Sequence, residues 1–338
     1  MNKFSMFATA TLLTVGSLTS SVFAADYNLK FAHFWPSSSG VHTGFETWAE
    51  SLEKASDGRI SVEFYPAQTL AKAPKSYDAV KNRIADITAT VQGYSANRFP
   101  LTQVVELPGV ASSAAQGSCV IQSLYDESLI SKEYDDTHVL FLFTHGPGDI
   151  HTKDKAIETP ADLAGLKVRR PTTVVAEMLE GLGAQPVGMP APNTYPSLQR
   201  GVIDGVAMPW EAMKSFRLNE LATFHTELGL YTLSFVVTMN KDIYNSMPDD
   251  LKAVVDTHSG MDWAQKQALV FDDLDTLGRE EAVNAGHSII TLEGGVNNPA
   301  WKPVLEAATN NYLGALEDKG MPARKVYDRA MELSKTCL

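Results

Sequence analysis

"YNLKFAHFWPSSSGVHTGFETWAESLEKASDGRISVEFYP", residues 27–66, holds two periodicities in a fixed order. Tyr27, Leu29 and Phe31 alternate, which puts them on one face of a strand. Val41, Phe45, Trp48 and Leu52 then recur at helical spacing, one apolar stripe closed by Gly58. Alternation returns through Ile60, Val62 and Phe64. A helix between two strands implies a right-handed crossover and a parallel pair, so the chain opens as α/β.

The same alternation continues outward. "KSYDAVKNRIA" (75–85) reads as a helix and "DITATV" (86–91) as a third strand. "HVLFLFTH" (138–145) is apolar almost throughout, a strand buried on both faces. A second series follows: strand "LKVRR" (166–170), helix "TTVVAEMLEGLG" (172–183), strand "QPVGM" (185–189), helix "TYPSLQRG" (194–201) and strand "IDGVAM" (203–208). "SFVVTMN" (234–240) is a further buried strand. Residues 247–286 read as one long helix or a helix pair, with Pro248, Asp249 and Asp250 at its start. Strand "HSIITLE" (287–293) and a helix over 300–320 complete the series.

The first residues stand apart. Lys3 precedes an apolar run from Met6 to Val15, and Val22 and Ala24 are small residues at the −3 and −1 positions of a secretory cleavage site. Residues 1–24 are therefore read as a signal peptide, and Ala25 as the start of a soluble, exported chain. The remainder is long for one core and predicts two lobes. Their expected division is 25–146 plus about 233–270 for one lobe, and 147–232 plus about 271–338 for the other. Lobes built from discontinuous segments imply several crossings at a hinge.

A net charge of −12 argues against nucleic acid and anionic membrane surfaces as partners. Cys119 and Cys337 are the two cysteines, and both lie in the exported part. An oxidising compartment would let them pair, but the sequence does not fix their separation. The sequence has no G-x-S-x-G elbow, Walker A loop, G-x-G-x-x-G or H-E-x-x-H. "THGPGDIH" (144–151) offers one constellation with catalytic potential: His145, Asp149 and His151 as ligands of a metal-dependent hydrolase. The competing reading is a glycine-rich hinge at the mouth of a cleft.

"GLKVRRP" (165–171) places Arg169 and Arg170 at the C-terminal end of a strand, where crevices form in α/β sheets. Alternation sends them to opposite faces, and a guanidinium offers a planar fork of donors that matches a carboxylate.

"DLAGLKVRRP" (162–171), "LGAQPVGMP" (182–190) and "YPSLQRGVIDGVAMP" (195–209) resemble the solute-binding proteins of tripartite ATP-independent periplasmic (TRAP) transporters. "ADYNLKFAH", "SDGRISVEFYPAQTL" and "MNKDIYNSMPDDLKAVV" extend the likeness over nearly the whole mature chain. The resemblance implies a two-lobed periplasmic binding fold with a hinge and a long connecting helix. It also implies capture of an organic anion and its delivery to a membrane permease.

In the family pattern G-L-K-x-R-x-P the arginine grips the ligand carboxylate. That position is Arg169, which should face the cleft while Arg170 faces outward. The sequence departs from the sialic-acid-binding members. Met208 stands where they carry asparagine, Asp149 where they carry a second arginine, and Ala191 near a pocket aromatic. Fewer polar partners favour a monocarboxylate with an apolar or aromatic body. The candidate ligand-binding set is Arg169, Met208, Trp210, Asp149, Gln92, Tyr94, Phe34, Trp35, Thr172, Glu211 and Phe235. Phe34 and Trp35 would point opposite ways if the chain there were extended. The expectation is a monomeric binding protein with no cofactor, no metal and no catalysis. The alternatives are the metal-dependent hydrolase and a binding protein serving an ABC importer or sensor kinase.

Overall fold

The structure, a computed structural model, describes residues 25–337, so the expected signal peptide lies outside the described residues. The opening unit forms as its periodicities require: β1 (Tyr27–Ala32), α1 (Gly40–Ala55) and β2 (Ile60–Tyr65). β1 and β2 pair in parallel, from Tyr27↔Ile60 to Ala32↔Tyr65. The α1 stripe of Val41, Phe45, Trp48 and Leu52 is buried. Its Phe45 and Trp48 rings lie 5.2 and 5.8 Å from that of Phe31. The first half continues through α2 (Ser76–Lys81), β3 (Ile87–Val91), α3 (Ala114–Asp126) and β4 (His138–Thr144).

The chain then builds β5 (Gly148–Thr152), β6 (Lys167–Arg170), α4 (Thr173–Gly181), β7 (Gln185–Gly188), α5 (Thr194–Gln199) and β8 (Gly205–Pro209). After them come α6 (Trp210–Ser215), β9 (Phe224–Tyr231), β10 (Ser234–Met239), α7 (Lys241–Ser246), α8 (Asp249–Thr257) and α9 (Met261–Asn284). β11 (Ser288–Thr291), α10 (Lys302–Glu317) and α11 (Ala323–Leu333) end it. The strands form two sheets, ordered β2-β1-β3-β10-β4 and β11-β9-β5-β8-β6-β7.

Neither sheet is wholly parallel, as simple alternation suggested. β10 runs antiparallel to β3 and β4, and β5 antiparallel to β8 and β9. These are the strands that cross directly from one sheet to the other, through residues 145–147 and 232–233. A strand entering at the cleft must run away from it, opposite to neighbours that arrive by way of a helix. Two short links therefore form the hinge. α8 and α9 are the expected helix pair, separated by Gly260 at φ +72°. α9 packs on α1 and α3 of the first lobe and on α6 of the second.

The C-terminal segment departs from the expected division. α11 returns to α3, where Cys337 is disulfide-bonded to Cys119 across a Cα separation of 5.7 Å. Gln116 Nε2 donates to Ser334 O at 2.7 Å, and Ser334 Oγ to Val110 O at 2.6 Å. The cysteine pairing that the sequence left open is the mark of this return, since helix α11 itself is amphipathic wherever it docks.

Candidate functional site

β6 ends at the cleft, and its alternation separates the two arginines. Arg169 is 1 % exposed, while Arg170 is half-buried on the other face, lying across Gly188. Arg169 Nε donates to Met189 O at 3.0 Å and Nη1 to Ala207 O at 3.0 Å. Nη1 also reaches Met208 Sδ at 3.2 Å, and Nη2 donates to the Tyr94 hydroxyl at 3.2 Å. A guanidinium has five N–H groups, so one on Nη2 remains, and sulfur is a weak acceptor for another. Among the described residues, no carboxylate forms an ion pair with Arg169.

Tyr94, from the first lobe, closes over this group. Its oxygen accepts from Arg169 and from the backbone N–H of Ala191 at 3.0 Å, which leaves its own proton free to donate. Gly93 beside it is required by close approach, since a Cβ there would lie 2.3 Å from Thr172 Cγ2 of the second lobe. Thr172 itself caps α4 and donates to Glu106 Oε2 at 2.8 Å, a second bond between the lobes.

One chamber collects most of the sequence candidates. Arg169, Met208, Glu211, Tyr94, Phe34, Trp35 and Phe235 line it, together with Val91, His145, Ala191, Pro209, Ala212, Phe216 and Leu233. Phe34 and Trp35 do not oppose each other. They follow the end of β1 in a bend, and their rings stack at 3.9 Å and 22°. Phe34 also faces Phe216 at 6.4 Å, and Trp35 faces Phe235 at 5.5 Å. The result is a slot of aromatic rings with a cation in its wall.

The structure places four candidates elsewhere. Gln92 is buried and bonds Tyr134 OH at 2.9 Å. Trp210 lies behind the wall, with Nε1 donating to Glu227 Oε1 at 3.0 Å. Asp149 accepts from Leu228 N and Gly229 N, both at 2.9 Å, and its burial pushes its pKa up to about 7. Thr172 binds Glu106 rather than the chamber. Backbone or lobe-internal partners claimed Gln92, Trp210 and Asp149, and a partner across the lobes claimed Thr172.

His145, Asp149 and His151 do not converge. His145 Nδ1 donates to Gly146 O, and its Nε2 accepts from Leu233 N at 3.2 Å, which joins the two hinge links. Burial lowers its pKa to about 3, so it is neutral. His151 Nε2 donates to Met208 O at 3.0 Å, and its Nδ1 meets His225 Nδ1 at 2.7 Å. Among the described residues, no group of three such side chains is placed to hold a metal ion.

Sequence reading missed Phe216, His145, Leu233 and Pro209 as chamber wall. Phe216 carried a usable signal: Ala212 and Phe216 stand four residues apart, as do Glu211 and Ser215, which gives α6 one face toward the slot.

Two α/β lobes, two crossing links and a buried guanidinium between them define a binding protein for an organic anion. Residues 31–313 match the bacterial extracellular solute-binding proteins of family 7, and the chain belongs to this family of TRAP solute-binding proteins. It is similar to a marine-metagenome TRAP solute-binding protein from an unidentified microbe, described as specific for aromatic acid ligands and solved with 3-hydroxybenzoate. The two are 38% identical, covering 93% of this chain and 99% of that one, with a TM-score of 0.89. A TRAP solute-binding protein from Rhodoferax ferrireducens, solved with copurified benzoate, is 36% identical, covering 92% and 98%, with a TM-score of 0.86. The C4-dicarboxylate-binding periplasmic protein DctP of Rhodobacter capsulatus is 25% identical over 66% of this chain and 68% of that one. Among the described residues, no helix is long and apolar enough to cross a membrane.

Proposed function

We propose that the protein captures a small aryl monocarboxylate in the periplasm and delivers it to a TRAP permease. The observation that carries this reading is Arg169, a fully buried cation without a carboxylate partner among the described residues, set in the wall of an aromatic slot. A buried charge that is not paired is costly, so the site is organised for an anion that arrives from outside. The remaining Nη2–H of Arg169 and the free proton of Tyr94 are the donors for its carboxylate. Phe34, Trp35, Phe216 and Phe235 then bury the apolar body, at about 25 cal/mol per Å². The relatives solved with 3-hydroxybenzoate and benzoate support the same ligand class.

Binding is capture, closure and handover, with no bond made or broken. Tyr94–Arg169, Tyr94–Ala191, Thr172–Glu106 and Ser39–Ser215 are among the contacts that join the lobes in the closed form. Residues 1–24 direct export and are then removed, and the protein acts as a monomer. The Cys119–Cys337 disulfide suits an oxidising compartment. Denaturing the purified protein and identifying released acids by mass spectrometry tests the ligand class. A benzoate-like acid is expected, whereas recovery of hexuronates alone would sink the reading.

A further inference from the structure

Glu211 is the one carboxyl group in the chamber wall, 2 % exposed, and it makes no ion pair with Arg169. Arg169 and Glu211 line one small chamber and make no ion pair with each other, so each is available to a ligand that enters between the lobes. Glu211 is also held in a directed way. Ser39, the N-cap of α1, accepts from Val41 N at 3.2 Å, and the Ser39 and Ser215 hydroxyls lie 2.9 Å apart. Ser215 Oγ donates its single proton to Glu211 Oε1 at 2.5 Å, so the Ser39 proton must go to Ser215. A chain of donors therefore runs from the first lobe into Glu211 of the second. Oε1 is committed to this chain, and the other carboxyl oxygen remains for the chamber.

We propose that Glu211 determines specificity at the end of the ligand away from Arg169. It hydrogen-bonds a hydroxyl substituent and excludes a second carboxylate. This deepens the aryl-carboxylate reading and rests on it. A hydroxyl meeting Glu211 completes a buried hydrogen bond to a carboxyl group, whereas a second ligand carboxylate would be a buried charge without a partner, since among the described residues no second cation lines the chamber. Because Ser39 and Ser215 lie on opposite lobes, the same chain links recognition of the substituent to closure. The burial that favours the neutral form of Glu211 and raises its pKa to about 7 acts in the same way on a second ligand carboxylate.

Titration calorimetry with benzoate, 3- and 4-hydroxybenzoate and the matching benzenedicarboxylates tests this. The wild type should bind at least one hydroxybenzoate about tenfold or more tighter than benzoate, and the dicarboxylates weaker than benzoate. Glu211→Gln should lose most of the hydroxyl preference and of the discrimination against dicarboxylates, each read as a ratio to benzoate binding by the same variant. A wild type that binds a dicarboxylate as tightly as its hydroxybenzoate overturns the proposal without any variant. A variant that ranks the acids as the wild type does overturns the role of Glu211 alone. If the wild type binds none of these acids, the aryl-carboxylate reading itself falls.

Discussion

Two fully buried ionisable groups stand where the lobes meet, one from each side, and they solve burial differently. Glu106, from the first lobe, accepts from Thr172 Oγ1 at 2.8 Å, Ser234 Oγ at 2.8 Å and Gln103 Nε2 at 3.3 Å. Its burial still outweighs these donors and raises its pKa to about 7. A carboxyl group can take up a proton and become neutral. Arg169, from the second lobe, cannot, because a guanidinium keeps its charge across the working pH range. Its carbonyl and hydroxyl acceptors orient it without neutralising it. Burial thus makes one group a latch that can become neutral and the other a site that needs an anion.

The largest expected effect comes from removing the charge that has no internal counterpart. Truncating one partner of a buried charged pair costs about 2–5 kcal/mol, so Arg169→Ala should weaken aryl-acid binding roughly thirtyfold to several thousandfold. Arg170→Ala, on the other face of β6, should change it by less than about threefold. Titration calorimetry would break the comparison if the two variants ranked in the opposite order.

A smaller effect is expected at the latch. Thr172→Val removes one hydrogen bond between the lobes but leaves Glu106 bonded to Ser234 and Gln103. A net loss of about 0.5–1.5 kcal/mol from the closed form corresponds to roughly two- to tenfold weaker binding. The change should appear mainly in the dissociation rate, because closure follows encounter. Unchanged stopped-flow dissociation would show that the Thr172–Glu106 bond does not hold the closed form together.

The contrast between the two groups also marks what could be read from the sequence. Arg169 announced itself through a strand end, a proline stop and a family pattern. Its separation from Arg170 followed from strand alternation alone. Glu106 carried no such mark: it ends a short 3-10 helix, Thr102–Glu106, and its partners come from residues 103, 172 and 234. The first sheet and four strands of the second were legible as strand and helix series, but β5 and β9 were not read as strands, and the antiparallel direction of β5 and β10 depends on which link crosses the hinge. The stacking of Phe34 on Trp35 was hidden because β1 ends at Ala32 and alternation stops with it. Trp210 and Asp149 looked like site residues by chain proximity. Only the folded partners, Glu227 for one and two backbone N–H groups for the other, place them behind the wall.

The finest test asks whether Glu106 is neutral as the comparison requires. Its folded pKa, about 7, lies above the usual value of 4.5. Between these values the folded state holds a proton that the unfolded state has lost, so stability falls as pH rises through the window and levels beyond it. Asp149 and Glu211, also raised to about 7, contribute with the same sign, so the wild-type curve alone cannot isolate one group. Depressed histidines such as His33 and His145, both near 3, contribute with the opposite sign, adding stability as pH rises toward 6.5. The difference between wild type and Glu106→Gln removes these shared contributions. Near pH 5 an amide resembles a protonated carboxyl, and the two proteins should melt within about 2 °C of each other. Above pH 7 the wild type must either bury a carboxylate or carry the cost of protonating it, and the variant should melt a few degrees higher. Calorimetric scans of both proteins from pH 4 to 9 would read this crossing. A melting difference that stays constant across the range would mean that Glu106 is already charged when folded, and that the latch and the ligand site are held by the same kind of electrostatics after all.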